Sequence, residues 1–195
     1  MKKVLSLLVG FSLLITVSLS ISGCGKTMSG DYPYYSDTSE LAKEADVIVV
    51  GDVTKVNKAE KININADAEK RELNKEEDLV TYTVSDVKIT EVIKGDVKVG
   101  DTIRIKQLGD KNNMVDTATV DNGGYLKKDS DHVFFLKSYI DINPDMPYSL
   151  LNPAQGQIEF SENTSKVGSQ NKLFKSNSKK EDILKDIRDT VKNSK

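Results

Sequence analysis

The sequence contains a single cysteine, Cys24, and the residues before it give this thiol a chemical context. Ile21, Ser22 and Gly23 come directly before it, after a lysine pair and an uncharged, mostly apolar run over 4–19. A positive start, an apolar stretch and small residues at its end are typical of a secretory signal peptide. An uncharged stretch of about 18 residues could instead be retained as a helix that spans the bilayer. Both alternatives place the rest of the chain outside the cytoplasm.

The order Ile21-Ser22-Gly23-Cys24 resembles the lipobox of bacterial lipoproteins, with Ile21 where Leu is commoner. The resemblance implies that a signal peptidase recognises Ile21, Ser22 and Gly23, and that Cys24 carries a diacylglyceryl thioether as the first mature residue. Each buried methylene contributes about 0.8 kcal/mol, so two acyl chains anchor a protein durably. We therefore expect a signal peptide over 1–23 and a lipid anchor at Cys24. The protein would lie on the extracytoplasmic face of the cell membrane, with membrane lipid as a partner.

The chain offers little for the common catalytic and metal chemistries. His132 is the only histidine, and the sequence has no Gly-x-Ser-x-Gly segment to supply a nucleophile for a triad. Zinc sites need several His or Cys ligands, which this composition cannot provide. Phosphate-binding glycine loops are also absent from the sequence. We expect His132 to be a strand-edge histidine, and we predict no catalytic residue, no metal ligand and no cofactor.

Acidic residues are plentiful, so calcium binding and carboxylate catalysis need to be considered. Asp110, Asn112, Asn113 and Asp116 resemble an oxygen-rich loop, but this loop lacks a central Gly and a Glu at the twelfth position. The 30 Asp and Glu residues do not reveal a catalytic pair without a fold. A calcium site in the 108–125 loop and a carboxylate-dependent surface hydrolase are therefore kept only as alternatives.

Composition and charge narrow the possible partners. Without residues 1–23, which carry two lysines and no acid, the formal net charge becomes −4 instead of −2. A weakly acidic domain does not attract phosphate backbones, so nucleic acid is excluded as a partner. No second cysteine exists to form a disulfide, so packing alone must hold the fold together.

The sequence divides into a lipidated tether over 24–36, a barrel domain over 37–162, and a polar connection with a C-terminal helix over 163–195. The tether residues after Cys24 reach at most about 40 Å when extended. Tyr32, Tyr34 and Tyr35 cluster there, and they either dock the tether onto the domain or form a sticky patch, for example at the lipid interface.

Hydrophobic periodicity predicts a mainly β domain between two helices. Alternating or continuous apolar runs predict six strands, over 46–56, 79–93, 102–106, 132–139, 148–151 and 157–160. Shifts in the alternation near Gly51 and near Ser85-Asp86 predict bulges, which let short strands curve into a barrel. Capping boxes at Asp37–Glu40 and Ser178–Glu181 predict the starts of a short N-terminal helix and of an amphipathic C-terminal helix.

The strand layout resembles the OB-type barrel of netrin-like and TIMP-like domains. The residues that carry the resemblance are Ala-Asp-Val-Ile-Val-Val-Gly-Asp-Val, Tyr-Thr-Val, Val-Ile-Lys-Gly-Asp, Val-Gly-Asp-Thr-Ile, Phe-Phe-Leu and Gln-Gly-Gln-Ile, within 38–160. The resemblance implies a small OB-like antiparallel β-barrel. TIMP-like inhibitors bind zinc through a free N-terminal cysteine, but Cys24 is expected to carry lipid and has no second cysteine to rigidify it. That inhibitory mechanism should not transfer.

The sequence thus predicts a membrane-anchored extracytoplasmic lipoprotein whose barrel is a non-catalytic binding or interaction module. Loops on a rigid barrel commonly carry recognition, so the 57–78 and 108–125 loops are the candidate surfaces. A protein, a cell-wall glycan or a small ligand could be the partner, and the oligomeric state stays open. The alternatives are the carboxylate-dependent hydrolase and a structural envelope component without a specific ligand.

Overall fold

The computed structural model describes residues 26–65, 72 and 75–194. Its strands are β1 (Lys26–Met28), β2 (Val47–Val56), β3 (Glu60–Asn63), β4 (Leu79–Lys94), β5 (Thr102–Leu108), β6 (Met114–Asp116), β7 (Asp131–Lys137), β8 (Tyr148–Leu150), β9 (Gln157–Ser161) and β10 (Thr164–Lys166). Its α-helices are α1 (Thr38–Glu44), α2 (Thr117–Asp121) and α3 (Lys180–Asn193), and a 3-10 turn covers Glu76–Asp78. The predicted signal peptide and Ile21, Ser22, Gly23 and Cys24 lie outside the described residues.

Five strands close into a barrel. Strand β2 pairs with β4, β4 with β5, β5 with β8, β8 with β7, and β7 with β2 again. The pair β5–β8 is parallel, and the other pairs of the circuit are antiparallel. This is a five-stranded Greek-key barrel of the OB type, and it confirms the predicted fold class. The sixth predicted strand, β9, lies outside the circuit against β7 and continues to β10.

Bulges between β2 and β4 supply the curvature that closes the barrel. The pairing register shifts between Val50 and Gly51 and again between Val53 and Lys55. A Cβ on Gly51 would lie 2.7 Å from a methyl of Val87, so only glycine fits at this close approach. The shift predicted near Gly51 is confirmed. The bulge predicted near Ser85-Asp86 of β4 is found on the paired strand β2, opposite these two residues.

Alternation along the strands creates two hydrophobic cores. Side chains on the inner face of the strands, such as Val49 and Phe134, fill the barrel interior. Side chains on the outer face, such as Ile48 and Phe135, form an outer core that α1 and α3 cover. The run Val133-Phe134-Phe135-Leu136 is therefore covered on both faces, as its continuous apolar character predicts.

The two predicted helices form, but only one has the predicted cap. The Asp37 side chain accepts from the Glu40 backbone N–H, which confirms Asp37 as the N-terminal cap. The Glu40 carboxylate accepts from the backbone N–H of Ser36, one residue before the cap. The C-terminal capping box is wrong, because α3 starts after Lys179 without a side-chain cap bond. Ser178 is held instead by Ser165, through bonds that join it to β10.

The apolar stripe of α3 packs as predicted. Ile183, Leu184, Ile187 and Val191 are all buried in the outer core. In the described part of the chain, no helix combines the length and hydrophobicity needed to cross a membrane.

Candidate functional site

Residues 26–35, which the sequence assigns to the tether, are docked on the barrel domain. β1 pairs in parallel with β6. The Gly30 N–H and the Tyr32 hydroxyl then donate to the carboxylate of Asp116, at 3.2 and 3.1 Å. Asp116 is fully buried, and its carboxylate also accepts from the backbone N–H and the hydroxyl of Thr119. Four donors balance this buried charge, so an acidic residue can hold the segment in place.

A polar turn clamps the end of the docked segment. The backbone N–H and C=O of Tyr35 both bond to the side-chain amide of Gln155, at 3.0 and 2.9 Å. The Asn152 side chain donates to the Pro33 carbonyl at 2.7 Å. Of the two roles predicted for the tyrosine cluster, docking therefore applies to Tyr32 and Tyr35. Tyr34 is 53% exposed, and its hydroxyl donates to the Gln170 carbonyl at 3.2 Å.

The docked segment lines a cleft of about 490 Å³. Residues 30–33 contribute on one side, and the rest of the lining includes 149–151, Tyr82 of β4, Lys106 of β5 and Tyr139, which follows β7. Cavities of about 300–1,000 Å³ with mostly apolar walls and a few polar groups are the usual form of small-molecule sites. The cleft has this size and composition.

Lys106 is the buried charged group of this cleft. The residue is only 4% exposed, and its Nζ donates to the Pro147 carbonyl at 2.9 Å. The Nζ also lies 3.9 Å from the ring centroid of Tyr139 and 5.7 Å from that of Tyr82, so both rings contribute cation–π attraction. Within the described residues, no carboxylate pairs with this ammonium group. The cleft therefore contains a cation without an anionic partner.

The titration of the cleft residues follows from burial. Burial lowers the pKa of Lys106 to about 8, so the amine is still mostly protonated at pH 7. Burial, reinforced by the charge and hydrogen bond of Asp116, raises the pKa of Tyr32. Burial also raises the pKa of Tyr82, with a smaller contribution from Tyr139. At neutral pH the buried part of the cleft thus combines the positive charge of Lys106 with neutral phenol groups. Two acidic residues and one further lysine, Asp31, Glu44 and Lys137, also line the cleft, but all three are exposed.

His132 lies beside a serine, but the pair lacks the properties of a catalytic dyad. Its Nε2 is 2.8 Å from the Ser130 hydroxyl, which itself donates to the Lys127 carbonyl. Nε2 must therefore carry the proton, and the buried Nδ1 has no partner among the described residues. Burial lowers the pKa of His132 to about 3, with the charge of Lys127 adding to the shift. A base this weak does not activate a hydroxyl near neutral pH, and we assign the pair a structural role.

The acidic loop that resembles a calcium site uses its oxygens within the fold. An Asp110 carboxylate oxygen accepts from the Asn112 N–H at 2.9 Å. Asp116 holds the docked segment through the four hydrogen bonds described above. In the described ranges, no cluster of three or more His, Cys, Asp or Glu residues could hold a metal ion.

The two loops predicted as recognition surfaces lie in different places. The 108–125 loop contributes Leu108 and Thr119 to the cleft. Strand β3 belongs to the 57–78 loop and lines a separate, open depression of about 540 Å³ together with residues 142–147 and Arg104. The guanidinium of Arg104 pairs with the Glu60 carboxylate, so this cation already has an anionic partner.

Lys106 is a site residue that the sequence patterns do not reveal. The alternation along β5 places Ile103 and Ile105 in the barrel and Lys106 on the outward face, where solvent exposure is expected. The outward side chain is buried because residues far along the chain cover it, such as Pro147, 41 residues away. No local pattern marks a contact of this kind.

Comparisons with known proteins do not identify a relative: no protein-family model matches the chain, and no curated protein sequence matches it significantly.

Proposed function

We propose that this protein is a membrane-anchored extracytoplasmic lipoprotein, and that its barrel is a non-catalytic binding module whose site is the Lys106 cleft. The anchor rests on the lipobox-like residues Ile21, Ser22, Gly23 and Cys24. The binding module rests on the cleft between the docked segment and the barrel.

One observation carries the binding proposal, namely the unpaired ammonium of Lys106 inside the cleft. A buried charge without a counter-ion costs free energy, so folds that need only stability seldom contain one. Two other partly buried cations of this domain have the expected carboxylates, since Lys180 pairs with Asp131 and Arg188 with Glu91. Lys106 differs from them and lines a cavity of suitable size, which supports a ligand as its missing partner.

Metabolic labelling of cells with an alkyne fatty acid tests the anchor. Wild-type protein should incorporate the fatty acid and stay with the membrane fraction, whereas Cys24→Ser should incorporate none because its hydroxyl forms no thioether. Ser22→Ala is the matched control, because it keeps a small residue before the cysteine and should be labelled. Equal labelling of wild type and Cys24→Ser would refute the anchor.

Photo-crosslinking on intact cells tests the cleft. A benzophenone amino acid in place of Tyr139 lies in the cleft, and the same amino acid in place of the exposed Tyr34 lies outside its lining. Capture of one defined partner or ligand from position 139 and not from position 34 would support the binding module. Equal capture from both positions, or none from position 139, would refute the assignment of the site to this cleft.

A further inference from the structure

Building on the proposed function, we infer that the cleft binds a small organic anion, whose carboxylate or phosphate head contacts Lys106 and whose apolar body packs against the tyrosine rings. The assignment names the class of ligand and the residue that selects it. It follows from the charge, the lining and the volume of the cleft.

The charge of the cleft favours an anionic head. An ammonium group has three N–H donors, and the hydrogen bond to Pro147 at 2.9 Å engages one of them. The rings of Tyr139 and Tyr82 attract the ammonium but do not neutralise it. A carboxylate or phosphate can supply the missing negative charge and accept a charge-assisted hydrogen bond, which is roughly twice as strong as a neutral one.

The lining favours an apolar or aromatic body next to that head. Leu150 and Leu151 join the tyrosines in the cleft. Offset or edge-to-face packing on tyrosine rings stabilises an aromatic group beyond the effect of its buried area. The ligand that fits best is therefore amphipathic.

Size and net charge exclude a polymeric anion. A cleft of about 490 Å³ holds a small molecule but not a folded partner. The chain has a formal net charge of −2, so its overall field does not attract a nucleic acid or another polyanion. Among the charged residues that line the cleft, Lys137 pairs with Asp46, and Asp31 and Glu44 are exposed. Lys106 is the buried cation of this lining, which suits a ligand with one charged head.

Binding of three naphthalene probes to the full chain in phosphatidylcholine nanodiscs tests the inference. The probes are 2-naphthoate, 2-naphthyl phosphate and the neutral 2-naphthamide, and their fluorescence anisotropy reports binding. We expect both anions to bind at least about tenfold more tightly than the amide, a ratio that corresponds to about 1.4 kcal/mol. The ratio between the two anions then identifies the preferred head group.

Two lysine variants give the test its control. Lys106→Met should weaken binding of both anions at least tenfold and leave binding of the amide within twofold. Lys180→Met is the matched variant, because Lys180 is also a partly buried lysine near an aromatic ring, but it pairs with Asp131 and lies outside the cleft lining. It should change anion binding less than threefold. Circular dichroism establishes that both variants fold.

The outcomes separate this inference from the proposed function. If the amide binds as tightly as the anions, or if Lys106→Met does not weaken the anions, the assignment of an anionic ligand is overturned. Failure of all three probes to bind also overturns it. Crosslinked capture from position 139 can succeed in each of these cases, and the binding module would then survive with a different ligand.

Discussion

The two outer faces of the barrel are covered in different ways. The face formed by β2, β7 and β9 packs against α1 and α3, and its core residues, such as Ile48 and Phe135, are fully buried. The face that carries Lys106 is covered by the docked segment and by the 138–147 connection, and a cleft remains between them. One face is closed by apolar packing, whereas the other is held by hydrogen bonds and contains an unpaired charge.

On the proposed function, this difference would let one small barrel separate stability from recognition. Apolar area removed from water contributes about 25 cal/mol per Å², so the helix-covered face stabilises the fold more than the face that carries the cleft. Polar groups such as Asp116 and Gln155 set the position of the docked segment, because hydrogen bonds are directional and add little net stability. The second face can therefore keep a cavity without unfolding the domain.

The largest expected effect lies on the helix-covered face. Phe135→Ala should lower the free energy of unfolding by about 4 kcal/mol, because the ring is fully buried and no side chain can fill the space. Urea denaturation measures the loss. Tyr139→Ala in the cleft is the matched aromatic control and should cost about 1 kcal/mol, since its ring is only partly buried. Similar losses for the two variants would contradict the contrast between the faces.

The second effect is the loss of folding stability at low pH that His132 causes. His132 and Lys106 are both buried basic residues, but at pH 7 His132 is neutral in the fold whereas Lys106 is charged. The pKa of His132 is about 3 in the folded state and about 6.5 in the unfolded state. Between these values the unfolded state binds the extra proton, so stability is present above pH 6.5 and is lost as the pH falls. We expect His132 to account for a loss of about 3 kcal/mol between pH 6.5 and pH 4.

Urea denaturation of wild type and His132→Gln across that pH range measures the histidine contribution. The carboxylates titrate in both proteins, so the difference between the two pH slopes isolates His132. Parallel slopes would show that His132 takes up a proton in the folded state and would contradict its burial as a neutral ring.

The third effect concerns the docked segment. Asp116→Asn should lower the free energy of unfolding by about 2 kcal/mol, because the amide replaces one acceptor oxygen with a donor that faces other donors. Hydrogen exchange at Gly30 and Tyr35 should become faster in this variant. Asp110→Asn, which affects one local turn of the same loop, should cost less than about 0.5 kcal/mol. Unchanged exchange at Gly30 in Asp116→Asn would show that other contacts dock the segment.

The smallest expected effect on stability is that of Lys106. At pH 7, Lys106→Met should leave the free energy of unfolding unchanged or raise it by about 1 kcal/mol, because it removes a buried unpaired charge. The pKa of Lys106 is about 8 in the fold and about 10.5 in the unfolded chain, so between these values the unfolded state binds the extra proton. Wild type should therefore gain stability relative to the variant as the pH rises from 8 to 9.5. A loss above 2 kcal/mol at pH 7 would identify Lys106 as a structural residue.

Much of the fold follows from local sequence patterns. The stripe Ile183, Leu184, Ile187 and Val191 predicts α3, because its spacing puts four apolar side chains on one helical face. The run Val133–Leu136 predicts a strand covered on both sides. The predicted cap of α3 is wrong, because β10 engages Ser178 through Ser165, thirteen residues away. Ser178 thus bonds to a residue that is distant in the sequence, and not to the first turn of α3.

The cleft could not be predicted from the same patterns. Its geometry depends on contacts between distant residues, such as Tyr32 with Asp116 and Tyr35 with Gln155, which are 84 and 120 residues apart. Each of these residues is compatible with a solvated loop when it is considered alone. Burial of Lys106 likewise results from tertiary contacts, since its strand position only predicts an outward side chain.

The docked segment also determines how the domain would sit on a membrane. β1 begins at Lys26, two residues after Cys24, so the chain between the proposed lipid and the first strand spans at most about 7 Å. The sequence-based tether would have allowed about 40 Å. On the proposed anchor, the barrel could not swing freely, and the edge formed by β1 and β6 would rest at the lipid head groups. Gly30 lies six residues after Cys24, so a lipid on Cys24 would keep this part of the cleft lining within about 20 Å of the bilayer. Amphipathic molecules that diffuse in the membrane plane would then be within reach of the proposed site.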